Sequence, residues 1–207
     1  MTSILNFSDI ACLDESAAGS LGAGMASFVR AEFPVGRGFV VTPAVFSDFL
    51  HKPDIKSAID LFKSGAEAPD ESWRAVKAVF SRTRLDWSHE MEILTAFKEL
   101  DSIASVSTSA RLGADHAPIY AASGRDLLDA VKHCWIKWLN SDMANLGKEL
   151  PAVVVREVLE SEVSLELKRK GQSFRARAVF GLPEGLRDPA VSPDIFEFRP
   201  GGELEVM

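Results

Sequence analysis

The sequence predicts an α/β fold of the α+β kind, with a mixed sheet, a helical insert and an antiparallel C-terminal half. Three observations predict it. Apolar residues recur at helical spacing through most of residues 14–101. Runs rich in β-branched residues stand at 38–42, 103–110 and 152–159. Beyond Pro151 the hydrophobic period changes from helical to alternating. A chain of 207 residues with 46% hydrophobic side chains can fill one core. The expected organisation is a single compact domain over 1–207, with an N-terminal subdomain (1–110) and a C-terminal one (111–207).

Ala18, Leu21, Met25, Phe28 and Val29 make one helical stripe between Asp14 and Phe33, and Pro34 closes the helix. "GFVVT" (38–42) follows as a strand, and Pro43 suits the first turn of a helix bearing Phe46, Phe49 and Leu50. Residues 54–101 repeat the helical period in three blocks, around Ile55 to Phe62, Trp73 to Phe80 and Met91 to Phe97. "IASVSTSA" (103–110) returns to strand character. Ser123, three residues before Asp126, resembles a capping box. The helix it opens has a wide apolar face, from Leu127 to Leu139, opposite Asp129, Lys132 and Lys137. "AVVVREVL" (152–159) is apolar without alternation, which predicts burial on both faces. Residues 161–180 read as a hairpin turning at Lys170 and Gly171, with Val163, Leu165, Leu167, Phe174, Ala176 and Ala178 on one face and Glu166 opposite Arg175. "DIFEF" is a last strand.

The charge balance, 30 acidic against 23 basic side chains for a net −7, lacks the footprint of a duplex-binding protein, so nucleic acid is not an expected partner. Cys12 and Cys134 make no disulfide framework and no metal spacing, which fits a reducing compartment. No stretch approaches the roughly 20 apolar residues that span a bilayer, and no basic stretch leads into an apolar run at the start. The expectation is a cytoplasmic protein without a membrane partner. His51, His89, His116 and His133 show no spacing for a metal site or a triad.

"GSLGAGMASFVRAEFPVGRGFVVTPAVFSDFL" (19–50) resembles the opening of the nucleotide-binding domain of the phosphoenolpyruvate synthase and pyruvate phosphate dikinase family, an ATP-grasp-type fold. "SVSTSA", "LLDAVKHCWIKWL", "LPAVVVREVLESEVS" and "GLPEGLRDPAVSPDIF" follow in that family's order. The resemblance implies an ATP-grasp-like domain. In the family it binds ATP with magnesium and phosphorylates a histidine on a separate swivelling domain. It also shows what this sequence lacks. The family's loop lysine is Leu21, and its Val-Arg-Ser-Ser-Ala arginine is absent from Val106 to Ala110. Its strand glutamine is Arg156, its magnesium-holding acid aligns with Arg177, and Glu184 alone stands as a metal-ligand candidate. The loop that covers the triphosphate shrinks to "HAPI" (116–119). Phosphoryl transfer rests on positioning and on charge stabilisation, and losing one such group costs on the order of 10² to 10³ in rate.

The candidate cleft residues are Gly19, Gly22, Gly24, Ser107, Ser109, Arg156, Arg177 and Glu184. The glycines would bind an anion through exposed N–H groups at a helix N-terminus, or would let the helix pack closely on the sheet; without a lysine, close packing is favoured. Ser107 and Ser109 are ligand hydroxyls or ordinary strand residues. The expected function is that of a degenerate, non-catalytic homologue acting as an interaction or regulatory subunit, with no catalytic residues, metal or cofactor. Its expected partner is a protein: a separate swivelling phosphohistidine domain or an enzyme complex. Two alternatives stand beside it. One is an ATP- and magnesium-dependent phosphotransferase subunit recruiting Arg37, Arg111 or Lys148; the other is a small-ligand binder that needs no metal.

Overall fold

The computed structural model describes residues 2–65, 68–110, 117–143, 146, 149–198 and, by backbone alone, 204–206. Two compact units divide the chain, Met1–Val158 and Leu159–Met207.

The first unit is a five-stranded sheet between two helical layers. Its strands are β1 (Ile4–Asn6), β2 (Gly38–Val41), β3 (Ala104–Ser109), β4 (Ile119–Ala121) and β5 (Ala152–Glu157), in the order β1-β2-β5-β3-β4. Its helices are α1 (Glu15–Arg30), α2 (Pro43–Leu50), α3 (Pro53–Ser64), α4 (Pro69–Arg82), α5 (Trp87–Leu100) and α6 (Gly124–Asp142), preceded by a 3-10 turn at Ile10–Leu13. The helix blocks and strand runs fall where the spacing predicts them. Among the described residues no helix is long and apolar enough to cross a membrane.

The mixed sheet is a correction. Every strand pair in both sheets is antiparallel. The helical segment between β2 and β3 does return the chain so that these two strands run the same way. β5 then inserts between them in the opposite direction, with Val40 facing Val154 and Val154 facing Ser107. Among the described residues no parallel neighbours remain.

Central β5 is buried on both faces, as its continuous apolar run requires. Leu5, Val40, Ala152 and Val154 pack under α1 with Cys12, Ala18 and Ala26. On the other face Phe39, Val41, Val106, Val153 and Val155 join the helical layer. The centre of that layer is aromatic: Phe46 stacks on Trp135 at 4.7 Å, and Phe49 reaches both Trp135 (5.3 Å) and Phe80 (5.2 Å). α6 begins at its expected cap, Ser123 Oγ accepting from the Asp126 amide (3.2 Å) and donating to the Asp126 carboxylate (2.7 Å).

Lys132 is a second correction. It is not on the solvated face of α6 but 7% exposed, donating to the Ser81 carbonyl (2.9 Å) and pairing with Asp129 (2.9 Å). The long stem covers apolar surface while the ammonium closes the end of α4. His133, next to it, has its pKa lowered from 6.5, first by burial and then by Lys137 and Lys77. The folded state therefore binds that proton less tightly than the unfolded one, and the contribution of this one, largely solvent-exposed, group to stability is full above pH 6.5 and falls as the pH drops below it. In denaturant melts from about pH 7 to about pH 5, His133→Gln is expected to flatten part of that decline.

The second unit is a four-stranded antiparallel sheet of β6 (Val163–Lys170), β7 (Ser173–Phe180), β8 (Asp194–Phe198) and β9 (Leu204–Val206), in that order, with a 3-10 turn at Pro183–Leu186. The hairpin register differs from expectation. Lys170 pairs with Ser173, so the loop is Gly171 and Gln172, and Glu166 faces Arg177 while Arg175 faces Lys168. Gly171 takes the first loop position because its φ of +64° is one that other residues rarely adopt. The slip moves each pairing by one residue on both strands, which preserves the two faces.

Candidate functional site

The glycine loop is closed by the end of β3. Gly19 breaks α1 with φ +67° and ψ 173°, leaving a single turn before it, capped by Asp14 through the Ser16 amide (2.8 Å), and a regular helix after it. Such a break frees two kinds of backbone group: the carbonyl before the kink and the amides that start the new helix. The Ala18 carbonyl and the Ser20 and Gly22 amides are met by Ser109 and Ala110, at the end of β3. Ser109 Oγ donates to the Ala18 carbonyl (2.7 Å) and accepts from the Gly22 amide (3.1 Å). The Ser20 amide and hydroxyl both donate to the Ala110 carbonyl, at 3.3 and 2.8 Å.

These contacts fix the meaning of the glycines. A Cβ at Gly19 would lie 2.1 Å from the Ser109 carbonyl oxygen and 2.3 Å from its Oγ. One at Gly22 would meet a Val40 methyl at 2.9 Å. Both glycines serve close approach of helix to sheet, and the amides of Ser20 and Gly22 have partners inside the protein. Leu21 packs against the apolar cluster under α1. Gly24 differs: a Cβ there would touch nothing within 4 Å. Gly24→Ala is expected to stabilise the protein by about 0.5 to 1 kcal/mol, read as a raised urea midpoint, because alanine loses less backbone entropy in a helix.

Ser107 is half-buried on the same sheet face as Ser109, opposite Val154, and makes no side-chain hydrogen bond among the described residues. Arg156 continues that face, opposite Gly38 and Ser105, half-buried and with no side-chain partner among the described residues. The structure thus brings Gly19, Gly22 and Ser109 into contact and sets Ser107 and Arg156 on their side of the sheet. Arg177 and Glu184 belong to the second unit. Arg177 donates to Glu166 (3.4 Å) and to the Leu186 carbonyl (3.1 Å). Glu184 lies in the Pro183–Leu186 turn, its own carbonyl accepting from Arg187 (2.9 Å).

Among the described residues no three His, Cys, Asp or Glu side chains converge. Where the family resemblance puts a magnesium-holding acid stands the Arg177 guanidinium, and hard cations want carboxylate and phosphate oxygens. Arg37 is committed elsewhere. It pairs with Glu157 (3.0 Å) and donates to the Glu99 and Leu100 carbonyls (3.0 and 2.6 Å), closing the C-terminus of α5. Arg111 and Lys148 lie outside the described residues, as do His116 and most of the loop before Ala117.

One constellation escaped sequence reasoning. Ser3 Oγ lies 2.8 Å from His89 Nδ1, and His89 Nε2 lies 2.9 Å from Asp48 Oδ2. The three types are those of a hydrolytic triad, but Ser3 is 1% exposed and no substrate reaches its hydroxyl. The relay fastens the residue before β1 to α5 and α2. Separations of 86 and 41 residues leave no spacing to read.

No family model matches this chain, and no curated protein sequence matches it.

Proposed function

We propose that this chain is a reduced relative of the nucleotide-binding domain of the phosphoenolpyruvate synthase and pyruvate phosphate dikinase family that has lost phosphoryl transfer and acts as an interaction or regulatory subunit. The observation that carries the reading is the seal between Ser109, Ala110 and the glycine loop. An anion seated at a helix N-terminus needs free amides there, and the amides of Ser20 and Gly22 are already bonded. Of the cations that would supplement them, the family's loop lysine is here Leu21, partly buried against the cluster under α1, while Arg37 closes the end of α5 and Arg177 is held by Glu166. The core-forming stripes keep the scaffold, so the fold outlives the chemistry. Its partner on this reading is a protein, a separate swivelling phosphohistidine domain or an enzyme complex.

Titration of the purified chain with ATP and magnesium, followed by calorimetry, tests the reading. No saturable heat is expected. Magnesium-dependent binding would favour the phosphotransferase subunit instead.

A second reading is a small-ligand binder that needs no metal; in place of the old adenine cleft, it is favoured by a cleft of about 1100 Å³ in the first unit that none of the candidate cleft residues line. Leu5, Leu50, Ile59 and Leu150 line it, with the exposed Lys56 and Lys63 beside them. Thr42, Ser47, His51 and Asp60 also line it, so the wall is mixed polar and apolar. Heat that persists without magnesium would favour this reading.

A further inference from the structure

β6 is an edge strand of eight residues, longer than most edges that proteins leave open. Its odd-numbered apolar residues are half in solvent: Val163 52%, Leu165 58% and Leu167 52% exposed. Of the even-numbered residues, Ser164 is buried and donates to the Gly181 carbonyl (2.6 Å), while Glu166, Lys168 and Lys170 carry charge, Glu166 pairing with both Lys168 (3.1 Å) and Arg177 (3.4 Å).

The hairpin fixes which backbone groups of β6 are open. Lys170 and Ser173 close a two-residue loop, and the Gly181 amide donates to the Glu162 carbonyl at 2.8 Å. Even-numbered residues therefore bond inward to β7. Val163, Leu165, Leu167 and Arg169 turn their N–H and C=O groups to the free edge.

An incoming antiparallel strand must meet those odd-numbered residues with its own open groups. When that strand is a second copy of β6, the charges discriminate among registers. Centring the pair on Glu166 sets Glu166 against Glu166, and centring it on Lys168 sets Lys168 against Lys168. Centring it on Leu165 loses the basic half of the strand. Centring it on Leu167 overlaps nearly the whole strand and sets Glu166 of each copy against Lys168 of the other. Like charges facing each other across a ladder destabilise it and unlike charges support it.

We propose that β6 is a dimerisation edge, two copies of this chain pairing their β6 strands antiparallel about a two-fold axis at Leu167, with Glu166 of each facing Lys168 of the other. The two four-stranded sheets become one continuous sheet, and the half-exposed leucines of the two copies meet side by side. The contact is isologous, the same strand serving on both sides, so it closes at two copies. Lys168, Arg169 and Lys170 discourage a foreign strand, and in this register Glu166 of the other copy offsets Lys168. The proposal is independent of whether nucleotide binds.

Sedimentation velocity on the full chain over a range of concentrations, with three variants, tests it. The parent chain is expected to show a monomer–dimer equilibrium. Leu167→Pro is expected to abolish the dimer while leaving the melting curve near the parent's, because the Leu167 N–H points to the edge and its loss breaks no bond within the monomer. Under mild oxidation Leu167→Cys is expected to form a covalent dimer, since facing residues in a bonded pair lie about 5.5 Å apart, within disulfide reach. Leu165→Cys is expected to stay uncoupled, because Leu165 and its counterpart are offset by roughly 13 Å along the strands. Native Cys12 and Cys134 are buried, with thiol pKa values raised to about 11, and stay out of the reaction. A chain that is monomeric throughout, a dimer that survives Leu167→Pro, or Leu165→Cys coupling as fast as Leu167→Cys would each overturn the proposal.

Discussion

Gly19→Ala is expected to cost about 3 to 5 kcal/mol of stability, enough to unfold much of the population at physiological temperature. Two effects add at this position. The backbone sits at φ +67° and ψ 173°, a region that is essentially glycine's own, and holding another residue there costs on the order of 1 to 3 kcal/mol. The added methyl would also fall 2.1 Å from the Ser109 carbonyl oxygen, a backbone atom fixed in β3 that cannot rotate away. Relief needs helix and strand to separate, which would break the bonds from Ser109 to Ala18 and Gly22. The measurement is a urea titration at constant m-value. A loss below about 1 kcal/mol would show that the loop is not held against β3. Ser109→Ala is the matching change from the other side, expected to cost about 1 to 3 kcal/mol by leaving a buried carbonyl and amide without partners.

Trp135→Ala carries the other large effect, about 3 to 5 kcal/mol. Trp135 is fully buried at the junction of α6 with α2 and α4, stacked on Phe46 with ring planes 10° apart and touching Phe49, which in turn meets Phe80. Removing the indole leaves a cavity walled by aromatic rings, too rigid to collapse into it. Trp135→Phe is expected to recover more than half of the loss, because it refills most of the volume. Thermal melts of the three proteins give the comparison. Equal stability of Trp135→Ala and the parent would mean that α6 is not anchored through this residue.

The helical period located every helix, because each buries a stripe whose spacing the backbone dictates, and the apolar run of β5 announced a central strand. The packing role of Gly19 and Gly22 was also legible, since an anion loop without its lysine has little left to hold an anion. Other features depend on partners distant in the chain. Sheet direction was set by β5 entering between β2 and β3, an order that no local pattern carries. β1 is three residues long, too short to show alternation. The hairpin slipped because either of two adjacent loop placements keeps the same residues on each face, and only the φ of Gly171 separates them. Lys132 read as a surface lysine because its partner, the Ser81 carbonyl, lies 51 residues away. The Ser3–His89–Asp48 relay was hidden for the same reason.

The central claim is that two of the amides opening the helix after Gly19, those of Ser20 and Gly22, are spent on Ala110 and Ser109 and are not open to a phosphate. It is tested most directly by following the backbone amide resonances of Ser20, Leu21 and Gly22 while ATP and magnesium are added to the isotope-labelled chain. The account predicts that these three signals stay in place up to saturating ligand and that the Ser20 and Gly22 amides exchange slowly with solvent. A saturable, magnesium-dependent shift of Ser20 and Gly22 would contradict it.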